Sequence, residues 1–227
     1  MTTIAENLAT IRATIPDGVR LLAVSKTFPA AAIRAAYHEG VRDFGESRIQ
    51  EAIAKQAELA DLTDIQWHFI GHLQSNKAKK ALTHFDWLHT CDHLALAQRL
   101  DRLAAELGKS PQILLQVKPC PDPDKYGWPL ASLWPDLAAL AQCHHLNIQG
   151  LMTILPLGLT PAATRQAFQE TEAAAAQIRE QFSPPLGMTE LSMGMSGDYP
   201  LAIAAGATMI RIGRGIFGDR PPLPSST

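Results

Sequence analysis

One pattern constrains this chain more than any other: a short apolar run followed by a helix-forming stretch, repeated along its whole length. The apolar runs fall at 20–25, 41–44, 67–70, 87–90, 112–117, 148–153, 190–193 and 208–212, and most are continuous in hydrophobicity rather than alternating. Continuous runs of strand length belong to strands covered on both faces, as in a parallel sheet. Helical spacing or a closing turn follows each run, at 30–39, 46–60, 76–82, 94–107, 130–144, 161–182, 199–205 and 215–217. Eight βα units in 227 residues predict an α/β fold, a (β/α)8 TIM barrel near the compact end of its size range. A doubly wound open sheet is the alternative, since periodicity alone does not close a ring. An amphipathic helix in MTTIAENLATIRATI precedes the first strand. No shift in composition divides the chain, so 1–227 reads as a single domain with a loop at 119–129 and a frayed Pro-rich tail at about 219–227.

Charge and cysteine content narrow the functional classes. The formal net charge is -2 with no long single-sign block, which argues against a nucleic-acid footprint or an anionic membrane surface. The first residues lack the apolar core of a signal peptide, and no apolar run reaches membrane-spanning length. Cys91, Cys120 and Cys143 have no paired spacing, which suits a reduced, cytoplasmic setting. Cys120, between Pro119 and Pro121, reads as an inert loop cysteine.

In a barrel the carboxyl ends of the strands share one rim, and that rim carries the chemistry. The first strand ends in Ser25-Lys26-Thr27. A lone lysine there is usually solvated. In a half-buried site desolvation favours its neutral amine, a good imine-forming nucleophile. The last two strands deliver Ser192-Met193-Gly194-Met195-Ser196-Gly197 and Arg211-Ile212-Gly213-Arg214-Gly215. Glycines, hydroxyls and helix starts at two adjacent strand ends suit a phosphate. Arg211 lies inside an apolar run, so it points either into the barrel, where it needs an acceptor, or outward with its stem snorkelling. An amine, an anion clamp and an inward guanidinium together meet the needs of a pyridoxal phosphate site.

Seven segments carry a resemblance: AVSK (23–26), FGESRIQE (44–51), WHFIGHLQSNK (67–77), KYGW (125–128), GLMTI (150–154), LSMGMSGDY (191–199) and RIGRGIFG (211–218). In this order, over nearly the whole chain, they resemble the YggS/PROSC family, the pyridoxal phosphate homeostasis proteins. The resemblance implies a barrel like the amino-terminal domain of alanine racemase, of fold type III, with pyridoxal 5'-phosphate as a Schiff base on Lys26. It implies that Ser192 and Ser196, with backbone at Gly213 and Arg214, hold the phosphate, and that Arg211 faces the pyridine nitrogen. Ser47, His68 and Met152 are expected to complete the pocket, with His68 equally well read as a satisfied core histidine. The family usually has Asn where this chain has Ser47, whose reach is shorter. The implied role is a carrier in pyridoxal phosphate (vitamin B6) and amino-acid homeostasis without dedicated turnover, serving pyridoxal phosphate-dependent apo-enzymes.

The rival reading is a racemase-like enzyme on the same site. Racemisation needs acid-base groups on both faces of the substrate's Cα. Lys26 serves one face. In alanine racemases the other base is a tyrosine from a second domain of the partner subunit, for which this chain has no room. Its own tyrosines are Tyr37, Tyr126 and Tyr199, and the absent domain favours a monomer. A phosphosugar or aldolase-like barrel enzyme is the remaining reading. His68 and His72 stand four apart, and His89, Asp92 and His93 cluster, but strand and turn context disfavours a metal at either place.

Overall fold

The computed structural model describes residues 2–219, so all of the tail at 219–227 beyond its first residue lies outside the described residues. All eight expected strands form. They are β1 (Arg20–Val24), β2 (Asp43–Glu46), β3 (Gln66–Phe69), β4 (Trp87–Cys91), β5 (Gln112–Lys118), β7 (Asn147–Thr153), β8 (Glu190–Met195) and β9 (Met209–Ile212). A further two-residue strand, β6 (Trp128–Pro129), hangs on the end of β5 within the stretch read as loop. Every pairing is parallel, and β1 bonds both β2 and β9, with Arg20 opposite Met209 and Ala23 opposite Ile212. β4 pairs with β5, which closes the ring; an open sheet would have left its outer strands unpaired.

The helices are α1 (Ile4–Arg12), α2 (Ala30–His38), α3 (Ile49–Glu58), α4 (Ala78–His84), α5 (Leu94–Leu107), α6 (Leu130–Leu133), α7 (Leu137–Leu140), α8 (Pro161–Phe182), α9 (Tyr199–Ala204) and α10 (Arg214–Phe217). Local chemistry explains their limits. α1 starts at a capping box in which the Thr3 side chain accepts from Glu6 N–H and the Glu6 carboxylate accepts from Thr3 N–H. α8 starts at Thr160, whose hydroxyl accepts from Ala163 N–H, with Pro161 in its first turn. The helix read at 130–144 is broken instead. Pro135 falls in a 3-10 turn at Trp134–Asp136, where it can neither donate nor accommodate the preceding carbonyl.

Two cores result. Between sheet and helices, residues such as Ile33, Ala52, Leu96, Leu100, Phe168 and Ile178 are buried in one continuous cluster. Within the ring, Trp87, Leu114 and Met152 form a small apolar cluster of their own. The buried polar residues His68, His89, Ser192 and Arg211 are also on inward faces. Among the described residues no helix is long and apolar enough to cross a membrane.

Candidate functional site

The first strand's end is braced from behind. Ser25 N–H donates to Gly45 O at 3.0 Å, and Phe28 N–H returns to Ser25 O at 3.0 Å. The turn between them puts Thr27 at φ 70°, a conformation a β-branched residue adopts only when its surroundings impose it. Thr27 N–H donates to Glu51 Oε1 at 2.6 Å. The Lys55 ammonium donates to Ser25 O at 3.0 Å and to Glu46 Oε1 and Glu51 Oε1 at 2.7 Å each. Ser25 Oγ donates to the same Glu46 oxygen at 2.6 Å. Burial raises the Glu46 pKa, and Lys55 only partly offsets it. Burial also pushes Glu51 upward, but hydrogen bonds from Lys55 and Thr27 N–H outweigh that and leave it lowered. Lys26 is therefore carried between two anchored neighbours. Sequence reasoning missed this brace, although Glu51 and Lys55 stand four apart on α3.

Lys26 is half-buried and lines a cavity of about 470 Å³, within the range of small-molecule sites. Ser196, Gly197, Gly213 and Arg214 line the same cavity, as does Arg211, and Ile154, Leu155 and Leu157 make an apolar wall. The glycine–serine corner of the cavity depends on Gly194. Its φ is +90°, and a Cβ there would lie 2.6 Å from Ala202 Cβ and 2.9 Å from Tyr199 Cα. Asp198 Oδ1 accepts from Met195 N–H at 2.6 Å, which leaves Ser196 and Gly197 exposed at the tip of the turn. A Cβ on Gly213 would lie 3.3 Å from Val24 O, and one on Gly215 3.9 Å from Ser196 Oγ. The β8 and β9 loops thus meet beside the end of β1. α9 has 6 residues and α10 only 4, so the corner offers a hydroxyl, first-turn N–H groups and the Arg214 cation more than a helix dipole.

Arg211 points into the barrel. NH1 donates to Ser192 Oγ at 2.8 Å and to Ser192 O, and NH2 donates to Thr153 O at 2.7 Å. Burial lowers its pKa to about 10, which still leaves it charged at neutral pH.

Four residues expected in the pocket lie elsewhere. Ser192 is fully buried and does not line the cavity; its hydroxyl is taken between Arg211 and His89, so it is not free to grip a phosphate there. His68 is a satisfied interior histidine, with Nδ1 2.9 Å from His89 Nε2 and Nε2 2.9 Å from Asp43 Oδ1. Met152 is fully buried against Trp87 and Leu114 and does not line the cavity. Ser47 lines a separate cleft of about 460 Å³ with Arg48, His72 and Lys77. Elsewhere on the same rim Lys118 donates to Asp122 O at 3.1 Å, and Asp92 accepts from His93 at 2.6 Å and faces His72 Nδ1 at 3.2 Å. Among the described residues no group of three or more His, Cys, Asp or Glu is placed to hold a metal ion. Each tyrosine has a partner: Tyr37 OH donates to Asp64, Tyr126 stacks on His72 with centroids 3.6 Å apart, and Tyr199 OH meets Thr14 Oγ1 at 2.8 Å.

Comparisons with known proteins agree with this architecture. The family described as alanine racemase, N-terminal domain, matches residues 1–221. A protein of Synechocystis sp. named pyridoxal phosphate homeostasis protein is 57% identical over 210 residues, covering 92% of this chain and 95% of that relative. PipY of Synechococcus elongatus, solved with pyridoxal phosphate bound, superposes with a TM-score of 0.91 at 56% identity, covering 95% of this chain and 100% of PipY. An alanine racemase from Clostridium difficile shares the fold at 14% identity, with a TM-score of 0.75, over 97% of this chain and 58% of the racemase.

Proposed function

The chain belongs to the alanine racemase N-terminal domain family and, within it, to the pyridoxal phosphate homeostasis proteins, and from that membership we propose that its rim cavity holds pyridoxal 5'-phosphate on Lys26. One observation carries the reading. A single cavity is lined by an amine at a strand end, a glycine–serine corner and a buried guanidinium, the donor set that an aldehyde, a phosphate and a ring nitrogen require. When bound, the cofactor supplies an aldehyde that a primary amine captures covalently, and a phosphate that fixes its orientation.

The residues of this chain do the rest. The Ser25 and Thr27 anchors limit where the Lys26 amine can travel. Ser196, backbone at Gly213 and the Arg214 cation take the phosphate, with Ser192 acting on Arg211 instead. Arg211 keeps its charge and donates toward the ring nitrogen, which disfavours a proton there. Ile154 and the buried Leu155 give one side of the cavity an apolar lining.

In this reading the protein stores and releases the cofactor as a monomer in the cytoplasm, for uptake by pyridoxal phosphate-dependent apo-enzymes. The three tyrosines, each engaged elsewhere, support holding over racemisation. Borohydride treatment of the loaded protein should fix the cofactor's mass on the peptide containing Lys26, and Lys26→Ala should lose that adduct while staying folded. Retention of the adduct by this variant contradicts the assignment. Incubation with L- and D-amino acids should draw the cofactor off stoichiometrically, and sustained product formation would replace the carrier reading with the racemase-like one.

A further inference from the structure

Through the middle of the barrel runs a line of polar side chains, each link from a different strand. Arg211 NH1 on β9 lies 2.8 Å from Ser192 Oγ on β8, and that oxygen lies 3.0 Å from His89 Nδ1 on β4. His89 Nε2 lies 2.9 Å from His68 Nδ1 on β3, and His68 Nε2 lies 2.9 Å from Asp43 Oδ1 on β2. Ser192, His89 and His68 have no exposed surface. Asp43 opens β2 at the opposite end of the ring from the cavity, with Arg20 NH1 at 3.7 Å. Arg20 is held on its other side by Glu190 at 2.9 Å and lies over the Trp87 ring. Trp87 stacks on His68 at 5.5 Å and 9°, which fixes the plane of that imidazole.

The line has one self-consistent direction. A guanidinium only donates and an ionised carboxylate only accepts. Arg211 therefore makes Ser192 Oγ an acceptor, and the hydroxyl's own proton goes to His89 Nδ1. His89 then carries its proton on Nε2 and donates to His68, which carries its own on Nε2 and donates to Asp43. Burial lowers the pKa of both imidazoles, His89 well below the ordinary value, so both are neutral as this arrangement requires. The reverse direction would leave His68 Nε2 and the Asp43 carboxylate facing each other as two acceptors, so the Asp43 end opposes it.

We propose that Asp43, His68 and His89 are positioning residues for Arg211: a one-way relay that fixes the Ser192 hydroxyl as Arg211's acceptor and so sets what Arg211 offers the cavity. With NH1 on Ser192 and one NH2 hydrogen on Thr153 O, Nε–H and the second NH2 hydrogen are left to face the bound ring. The direction of the relay is a property of the protein alone; its effect on bound cofactor rests on the reading of the cavity given above.

Two measurements test it. Long-range 1H–15N spectra of cofactor-free protein should show His68 and His89 as neutral Nε2–H tautomers, neither titrating between about pH 8 and about pH 5.5. A proton on Nδ1 of either ring, or titration near the ordinary histidine value, overturns the relay. In loaded protein, Asp43→Asn keeps an acceptor but removes the charge that sets the direction, and His89→Gln cuts the line. Each should move the pH midpoint of the Lys26-linked absorbance by about half a unit or more, and speed cofactor release by roughly three- to tenfold. If both variants match the parent while borohydride still fixes cofactor to Lys26, the relay is wrong. If the parent itself shows no fixation, the cofactor reading fails, and the cofactor-free spectra still decide the relay.

Discussion

His68 and His89 show how much a single residue's setting can govern. Both are buried with lowered pKa values, while in the unfolded chain each takes up a proton below about pH 6.5. The folded state then binds fewer protons, so the two contribute stability that is present above pH 6.5 and lost as pH falls. At full effect His89, held well below the ordinary value, accounts for a loss of about 1.4 kcal/mol per pH unit, and His68 acts in the same sense. Glu46, whose folded pKa is raised by burial, acts in the opposite sense and removes up to about 1.4 kcal/mol per pH unit from that slope, but only between its folded value and the ordinary carboxyl value. Urea unfolding of the parent and His89→Gln between about pH 6 and about pH 4.5 separates the effects: the variant's slope should be shallower by about 1.4 kcal/mol per pH unit. Equal slopes would mean that His89 is not held neutral. At this scale Lys26 and Arg211 were legible because a charged residue closing or interrupting an apolar run has few explanations. Ser192 was not, because a Gly–Ser segment does not declare which hydroxyl faces the barrel interior. Its inward direction becomes readable only once the pairing of β8 with β9, which shifts register between Ser192 and Met195, is known.

At the scale of elements, the β1–α2 turn depends on a helix, α3, that contributes no residue to the cavity lining. Lys55, on α3, neutralises Glu46 and Glu51 and holds the carbonyl of Ser25. Lys55→Met would strand two carboxylates, one of them fully buried with Glu46 Oε2 already lacking a partner among the described residues. Losing one partner of a buried pair costs about 3–5 kcal/mol. Urea titration should show that loss, together with weaker cofactor retention as Lys26 gains freedom; unchanged stability and retention would remove Lys55 from the brace. Periodicity placed α5 and α8 with their observed limits because each is uninterrupted and ends at a recognisable signal. It extended 130–144 into one helix because the apolar spacing on either side of Pro135 stays in phase, although proline breaks the backbone between.

For the whole molecule, eight strand–helix units were readable one at a time and their number pointed to a closed barrel, but the pairing that closes it was not readable. Closure is a pairing of residues such as Leu21 with Ile210, far apart in sequence, and nothing local specifies it. Closure sets the geometry on which the functional reading turns. It brings the β1 end beside the β8 and β9 loops, so one cavity holds an amine and an anion corner together. It also places the Ser47 cleft, lined by Arg48, Lys77 and Glu51, apart from that cavity, as another place on the rim where cations face a hydroxyl. A crystal structure of the protein loaded with pyridoxal phosphate decides between them. Continuous density from Lys26 Nζ, with the phosphate within hydrogen-bonding distance of Ser196 Oγ and the Gly213–Arg214 backbone, is the result this account predicts. A phosphate seated among Ser47, Arg48 and Lys77, or a cofactor not joined to Lys26, would contradict it.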